Sequence, residues 1–220
     1  MRNRAAFLAA CALAGLVGCE SGAPVKSPTA PPAAAMKKKE PPPAAFRVKL
    51  ETTKGDIVID VNREWAPRGA DHFYELVTAG FYDSMKFHRV MRTFVAQFGI
   101  NGDPSIDQLY SAMRIPDDPP RLKNKRGTLT YAKLGPDSRT TEVFINLRDN
   151  PVLDSTGFAP FGKVSEGLEV ADQLSFLYGE LQPRGNGPDP AKIHREGNAY
   201  LNREFPRLDA IRKATILPAK

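Results

Sequence analysis

The chain has 220 residues, of which 41% are hydrophobic and 25% charged, a balance that excludes a wholly disordered or collagen-like protein. The formal net charge is +6, but residues 1–45 carry six Lys/Arg against two acids, so the remainder holds 25 basic and 23 acidic residues. A net charge near +2 over the folded part gives little electrostatic support to nucleic-acid binding. The length is typical of one domain with appendages.

The chain begins with a short basic segment, followed by an apolar run from Ala5 to Val17 and then Gly18 and Cys19. These proportions predict a secretory signal over residues 1–18, because about 13 apolar residues are too few for an ordinary membrane-spanning helix. The sequence LVGC at residues 16–19 resembles the lipobox of bacterial lipoproteins, in which the cysteine is lipidated and becomes the mature N-terminus. The alternative is an ordinary signal peptide whose apolar stretch contains cysteines.

Residues 20–45 contain seven Pro, seven Ala and four Lys, a composition that cannot bury a core and favours extended geometry. We therefore expect residues 19–45 to be a lipidated cysteine followed by a disordered tether. Lipid on Cys19 would anchor the protein to a membrane while its domain, residues 46–220, stays in water. The expected location is the bacterial cell envelope. Glu20, where an Asp often marks inner-membrane retention, favours the outer membrane, with the domain facing the periplasm.

The domain begins with alternating apolar residues that predict strands on both sides of a turn at Lys54-Gly55. Pro67 suits the first turn of a helix that ends near Gly80. The further predicted elements are a bent strand pair over 87–98, a long loop over 102–126, strands at 127–132, 143–147 and 158–164, a helix at 168–177 and a closing strand at 214–217. Many short strands with two helices predict a mainly β fold, a closed antiparallel barrel of about eight strands capped by two helices.

Several kinds of catalytic site are missing from the sequence. His72, His88 and His194 are far apart and Cys19 and Cys11 precede the domain, so we expect no metal and no cofactor. The sequence has neither a nucleophile elbow nor a glycine-rich phosphate loop. A dense cluster remains at residues 87–104, FHRVMRTFVAQFGINGDP.

Strand alternation in that cluster places Arg89 on the same face as Phe87, an uncommon position for a guanidinium unless it is paired or lines a cleft. Taken alone, this arginine is most simply explained by a surface salt bridge.

The cluster resembles the central motif of cyclophilins, the cyclosporin-binding class of peptidyl-prolyl isomerases, in which F-H-R precedes a G-F-x-x-Q-x-G-D type run. Residues 127–136 (GTLTYAKLGP) with Phe144-Ile145-Asn146 look like a second family motif, and residues 153–164 (LDSTGFAPFGKV) look like a third. The three occur in the family's order at compatible spacing. The resemblance covers residues 46 to about 177 and becomes weaker toward Lys220.

The resemblance implies roles for individual side chains. Arg89 matches the family's catalytic arginine, and Gln97 matches the glutamine that hydrogen-bonds near the peptide. The proline pocket is matched by Phe94, Val95, Phe144, Leu153 and Phe158. Ala132 and Lys133 match the pair that hold the residue before proline, the second mainly through its backbone.

Three positions depart from the family's commonest pattern. Glu142 occupies a position that is usually glutamine, which places a carboxylate near the cleft and favours basic or neutral flanking residues in a client. Phe158 replaces a histidine and preserves the apolar wall. Val152 stands where many eukaryotic members have the tryptophan associated with cyclosporin binding, so we expect weak drug affinity.

The cyclophilin resemblance implies an isomerase of X-Pro bonds. Together with the lipobox-like segment, it leads us to expect a lipid-anchored enzyme that acts on unfolded or flexible envelope proteins. We expect a monomer whose partners are proline-containing polypeptides, with no nucleic acid and with membrane contact through the N-terminal lipid only. Two alternatives stay open: a cyclophilin-fold binding module with incidental turnover, and a structural lipoprotein with an unrelated barrel.

Overall fold

The computed structural model describes residues 41–218. The predicted signal, Cys19 and all of the tether before residue 41 lie outside that range. The described residues form nine strands: β1 (Ala45–Thr52), β2 (Gly55–Asn62), β3 (Met85–Lys86), β4 (Arg89–Val90), β5 (Val95–Phe98), β6 (Thr128–Tyr131), β7 (Val143–Asn146), β8 (Pro160–Glu166) and β9 (Ala210–Leu217). They also form five helices: α1 (Pro67–Thr78), α2 (Pro104–Ser111), α3 (Pro151–Ser155), α4 (Leu168–Asp172) and α5 (Pro190–Glu204).

The strands of the described range belong to one curled antiparallel sheet in the order β3-β9-β1-β2-β8-β6-β7-β5-β4. The mainly β fold is therefore confirmed. The two ends of the order, β3 and β4, are joined in the chain by only Phe87 and His88. This short covalent link brings the two ends of the curled nine-stranded sheet together.

The predicted first hairpin is present, with Val48 opposite Ile59 and Leu50 opposite Ile57, all four fully buried. Because side chains alternate along a strand, this register places these four residues on one face, whereas Val58, opposite Lys49, lies on the other. Arg47, on the other face, pairs with Asp60 and Glu166. The hairpin therefore forms from its own sequence pattern.

Helix α1 covers the apolar interior of the curled sheet. It begins at Pro67, whose missing N–H is not needed in the first turn, and buries Phe73, Leu76 and Val77. Phe73 packs edge-on against Phe161 of β8 with ring centroids 5.2 Å apart. The main core thus lies between the helix and the inner face of the sheet.

Four of the predicted elements after residue 101 have other boundaries in the structure. The stretch 102–126, predicted as a loop, contains α2, which Asp103 caps by accepting a hydrogen bond from the Ser105 amide. The helix predicted over 168–177 ends at Asp172, and the Ser175 amide donates instead to Asp209 at 2.7 Å. No local sequence pattern predicts this hydrogen bond, because its two residues are 34 positions apart in the chain. Strands β8 and β9 also differ from prediction, with β8 at Pro160–Glu166 and β9 at Ala210–Leu217.

The C-terminal segment forms α5, which builds a second small core with Ile100. The helix is kinked at Gly197, whose φ of +56° and ψ of −139° are not helical. A Cβ there would lie 2.1 Å from the Gly102 carbonyl oxygen, so only glycine permits this approach. None of the helices in the described range has the length and apolar character that a bilayer span requires.

Candidate active site

The candidate site lies on the face of the sheet that turns away from the main core. Along β7, Val143 and Ile145 belong to the main core, whereas Phe144 between them belongs to a separate apolar cluster. Strand β5 alternates in the same way, with Ala96 and Phe98 inside and Val95 outside. The same two strands therefore carry the core on one face and the candidate site on the other.

We call this separate apolar cluster the cup. Its buried members are Val95, Phe144 and Leu153, with Phe94, Ala132 and Phe158 packed against them at partial exposure. The rings of Phe144 and Phe158 lie 6.0 Å apart. The structure thus brings all five predicted proline-pocket residues together, from four separate segments of the chain.

Arg89 reaches this cup because strand register places it there. Arg89 of β4 lies opposite Gln97 of β5, and Gln97 lies opposite Phe144 of β7, so the three form one row across the sheet. The Arg89 Cζ is 5.3 Å from the centroid of the Phe94 ring. The expectation that Arg89 shares a face with Phe87 is wrong: Phe87 is fully buried in the core against Phe98, because residues 87–88 interrupt the strand between β3 and β4.

A chain of hydrogen bonds fixes the direction of Gln97. Arg89 Nη1 donates to Gln97 Oε1 at 3.0 Å, and Gln97 Nε2 donates to Glu142 Oε2 at 2.8 Å. A guanidinium can only donate and a carboxylate can only accept, so the amide has one satisfied orientation. Glu142 therefore has a defined use at the position where the family's pattern has glutamine.

Glu142 is held in its ionised form by its neighbours. Burial raises the pKa of Glu142, but interactions with His88 and Gln97 lower it by more, so that it lies below its ordinary value. His88 Nε2, in a side chain only 1% exposed, is 3.2 Å from Glu142 Oε2. The backbone of residue 99 lies so close to that of Glu142 that only glycine fits there, since a Cβ on Gly99 would lie 2.4 Å from the Glu142 Cα.

Ala132, Lys133 and Glu142 line a cavity of about 920 Å³ beside the cup, together with residues of α2 and the start of α5. The Lys133 ammonium is bound to Asp117 at 2.7 Å and lies 5.4 Å from the centroid of the Phe158 ring. Its charge is thus already paired within the protein. In the described range, no group of three His, Cys, Asp or Glu side chains could hold a metal ion.

Sequence reasoning missed one residue of the site, Glu180. Its Oε2 accepts a hydrogen bond from Arg89 Nη2 at 2.6 Å. Glu180 lies outside all three motifs, in the stretch YGELQPRG that follows α4. Nothing in that stretch marks the glutamate, and only the Pro- and Gly-rich residues after it indicate a tight loop.

Residues 47–193 match the family model described as cyclophilin type peptidyl-prolyl cis-trans isomerase/CLD. The chain belongs to this family. The curated relatives are isomerases by name. Peptidyl-prolyl cis-trans isomerase A of Dickeya dadantii is 36% identical over 149 residues, which cover 64% of this chain and 75% of the relative. Peptidyl-prolyl cis-trans isomerase B of Escherichia coli is 34% identical over 136 residues, 58% of this chain and 82% of the relative.

A solved structure supports the cyclophilin fold. The cyclophilin type isomerase of Cryptosporidium parvum superposes with a TM-score of 0.57 at 21% identity, covering 80% of this chain and 99% of its own. At that identity the likeness concerns the fold alone. The prediction of a cyclophilin-family isomerase is therefore confirmed by the family match and the relatives, and the unrelated structural barrel is excluded.

Proposed function

We propose that this cyclophilin accelerates X-Pro rotation by donating a hydrogen bond from Arg89 to the prolyl nitrogen of a client held in the apolar cup. The observation that carries the proposal is the row of Arg89, Gln97 and Phe144 across three strands, beside the cup. A fixed cation next to the apolar cup suits an X-Pro segment, in which the apolar proline ring is attached to a polar amide.

The chemistry needs no nucleophile. Rotation about a peptide bond has a barrier of about 18–20 kcal/mol, because the nitrogen lone pair is delocalised into the carbonyl. A donor aimed at the nitrogen favours the twisted state, in which the lone pair is localised, over the planar ground state. Arginine suits this role because it stays charged and presents its N–H groups in a fixed plane.

The cup has the complementary task of holding the ring. Val95, Phe144 and Leu153 are at most 9% exposed and form the buried part of the cup. Phe94 and Phe158, partly exposed, form its rim. A ring seated there excludes water from the neighbouring hydrogen bond, which strengthens the electrostatic interaction with Arg89.

The cavity beside the cup accommodates the residues that precede proline. Ala132 and Lys133 would hold the client backbone, since the Lys133 side chain is engaged by Asp117. Glu142 lines the same cavity as a carboxylate and favours basic or neutral side chains there. These assignments make clients extended polypeptides rather than small molecules.

The clients we propose are unfolded or flexible proteins of the bacterial envelope. This location is supported by the signal-like and lipobox-like sequence of residues 1–19. We propose that Cys19 carries the lipid and that the domain faces the periplasm as a monomer. Metabolic labelling with palmitate, with Cys19→Ser as the comparison, tests the anchor. Labelling that survives the substitution would contradict it.

The isomerase proposal is tested by proline-limited refolding and by a peptide isomerisation assay on the full chain, with Arg89→Ala as the variant. Loss of one hydrogen bond from a charged donor, worth about 1.5–3 kcal/mol, predicts a fall in kcat/KM of roughly 10- to 150-fold. Arg126→Ala is the matched control, because Arg126 also forms an ion pair, with Asp172, and belongs neither to the cup nor to the row of Arg89, Gln97 and Phe144.

A folded wild type without any acceleration on varied X-Pro peptides would overturn the proposal. The binding-module alternative would then apply, with client affinity but no turnover. Equal losses in Arg89→Ala and Arg126→Ala would instead show that Arg89 has no special part in the reaction.

A further inference from the structure

Arg89 is bound by a carboxylate that comes from outside the cyclophilin motifs. Glu180 Oε2 accepts from Arg89 Nη2 at 2.6 Å, and Glu180 Oε1 accepts from the Leu181 amide at 2.9 Å. The two side chains are only 15% and 21% exposed. Burial alone would raise the pKa of Glu180, but these two hydrogen bonds hold it below its ordinary value. The carboxylate is thus ionised at neutral pH and has a partner on each oxygen.

The loop that carries Glu180 is closed by its own backbone. The Gly187 amide donates to the Glu180 carbonyl at 2.8 Å, and the Gly185 amide donates to the Leu181 carbonyl at 2.9 Å. A Cβ at Gly185 or Gly187 would lie 2.4 or 2.6 Å from the Glu180 carbonyl oxygen. Only glycine allows the loop to fold this tightly around Glu180, so the carboxylate is presented from a fixed backbone.

The guanidinium is therefore held at two nitrogens by two different parts of the fold. Gln97 of β5 binds Nη1 and Glu180 of the loop binds Nη2. Because the group is planar, contacts at both terminal nitrogens fix its plane as well as its position, and each of these nitrogens keeps a second N–H. A free arginine would lose side-chain entropy on being ordered by the client, and an arginine that is already held loses less.

We propose that Glu180 is a positioning residue for the isomerase reaction: it fixes the plane of the Arg89 guanidinium before a client binds. This inference rests on the proposed function of Arg89. A client offers Arg89 a neutral carbonyl and a neutral nitrogen, which are weaker partners than a half-buried carboxylate. Glu180 accordingly stays bound during turnover, and the client uses the remaining N–H groups. Its removal then slows the reaction rather than opening the site.

The test compares the full chain with Glu180→Ala, Glu180→Gln, Arg89→Ala and the double variant. We expect Glu180→Ala to lower kcat about tenfold, since small misplacements of a catalytic group have effects of this size or larger. KM should change less than about twofold, because the cup is intact. Glu180→Gln should fall between, since its amide oxygen can still accept from Arg89. Glu51→Ala, which removes a surface pair with Lys49 on β1, is the matched control.

The double-mutant cycle separates positioning from a merely structural effect. If Glu180 acts through Arg89, then Glu180→Ala has no further effect on the residual activity of Arg89→Ala. A further loss there, or an unchanged kcat in the single variant, would overturn the proposal. A rise in kcat would overturn it as well, because Glu180 would then be a competitor of the client.

A second readout is independent of turnover. Nitrogen-15 NMR relaxation of the Arg89 side chain should show a rigid guanidinium in the wild type and a mobile one in Glu180→Ala. An equally rigid side chain in both proteins would overturn the positioning role alone. Absence of isomerase activity in the wild type, with the NMR difference intact, would overturn the proposed function and leave the structural hold of Arg89 established.

Discussion

Two adjacent residues of β7 allow the site to be separated from the core by mutation. Phe144 faces the cup and is 4% exposed, whereas Ile145 faces the main core and is fully buried. They share a strand, a backbone and a sheet register. We predict that Phe144→Ala impairs catalysis, whereas Ile145→Ala impairs stability only.

The expected sizes follow from the two environments. Truncation of Ile145 in a sealed core should lower the free energy of unfolding by about 2–5 kcal/mol. Truncation of Phe144 should be near or below the lower end of the 3–5 kcal/mol range, because its cavity opens to water through the cup. Phe144 is only 4% exposed, which for a side chain of about 200 Å² leaves on the order of 10 Å² for direct contact with a bound ring, worth about 0.25 kcal/mol. Truncation also removes part of the apolar shield beside Arg89 and admits water there, so that kcat/KM should fall by about twofold or more.

The assay is peptide isomerisation at a temperature where circular dichroism shows both variants folded, with urea unfolding measured in parallel. Ile145→Val, which should lower the free energy of unfolding by about 0.5–1.5 kcal/mol, replaces Ile145→Ala if the latter does not fold. Undiminished kcat/KM in folded Phe144→Ala would refute the assignment of the cup. Equal catalytic losses in the two variants would show that stability, and not proline contact, decides activity.

Three further outcomes follow from the same contacts. Glu142→Gln should lower kcat/KM at neutral pH about twofold, since Gln97 can then reverse; a loss above tenfold would indicate direct client contact by Glu142. Asp107 raises the pKa of His194 above its ordinary 6.5, so this stabilisation is complete below pH 6.5 and is lost as pH rises through the raised value. Thermal unfolding should follow that trend in the wild type, and a persisting trend in His194→Gln would contradict it. Gly99→Ala should lower the free energy of unfolding by at least about 2 kcal/mol, because φ is +124° and the new Cβ meets the Glu142 backbone; an unchanged urea midpoint would contradict this.

Local patterns in the sequence were sufficient for the elements that form from local signals. The β1–β2 hairpin has period-two apolar residues on both sides of a turn, and α1 begins with Pro67 and ends before Gly80. The cup and Arg89 were found through motif order, because residues matched to one family site are brought together by that family's fold. The resemblance placed Phe144 in the pocket, and the structure shows that Ile145 beside it faces the main core.

Long-range contacts were not predictable in this way. Helix α5 docks on Ile100 and bends at Gly197 only because Gly102 lies beneath it. Arg89 turns away from the core because β3 and β4 are separated by an irregular pair of residues, a detail that strict alternation cannot represent. Glu180 is 91 residues from Arg89 in the chain, and no local pattern relates the two.

The hydrogen bonds around Arg89 explain how the candidate site can hold a hydrogen-bond donor in one fixed direction. The side chains of Arg89 and Gln97 belong to a chain of hydrogen bonds that ends in a carboxylate on each side, Glu180 at one end and Glu142 at the other. A carboxylate can only accept hydrogen bonds, so every donor in this chain of hydrogen bonds has one satisfied orientation. Under the proposed mechanism the reaction moves no proton and breaks no bond, so the protein contributes only an oriented donor and a fitted surface. The chain of hydrogen bonds around Arg89 supplies the oriented donor, and the cup beside it supplies the fitted surface.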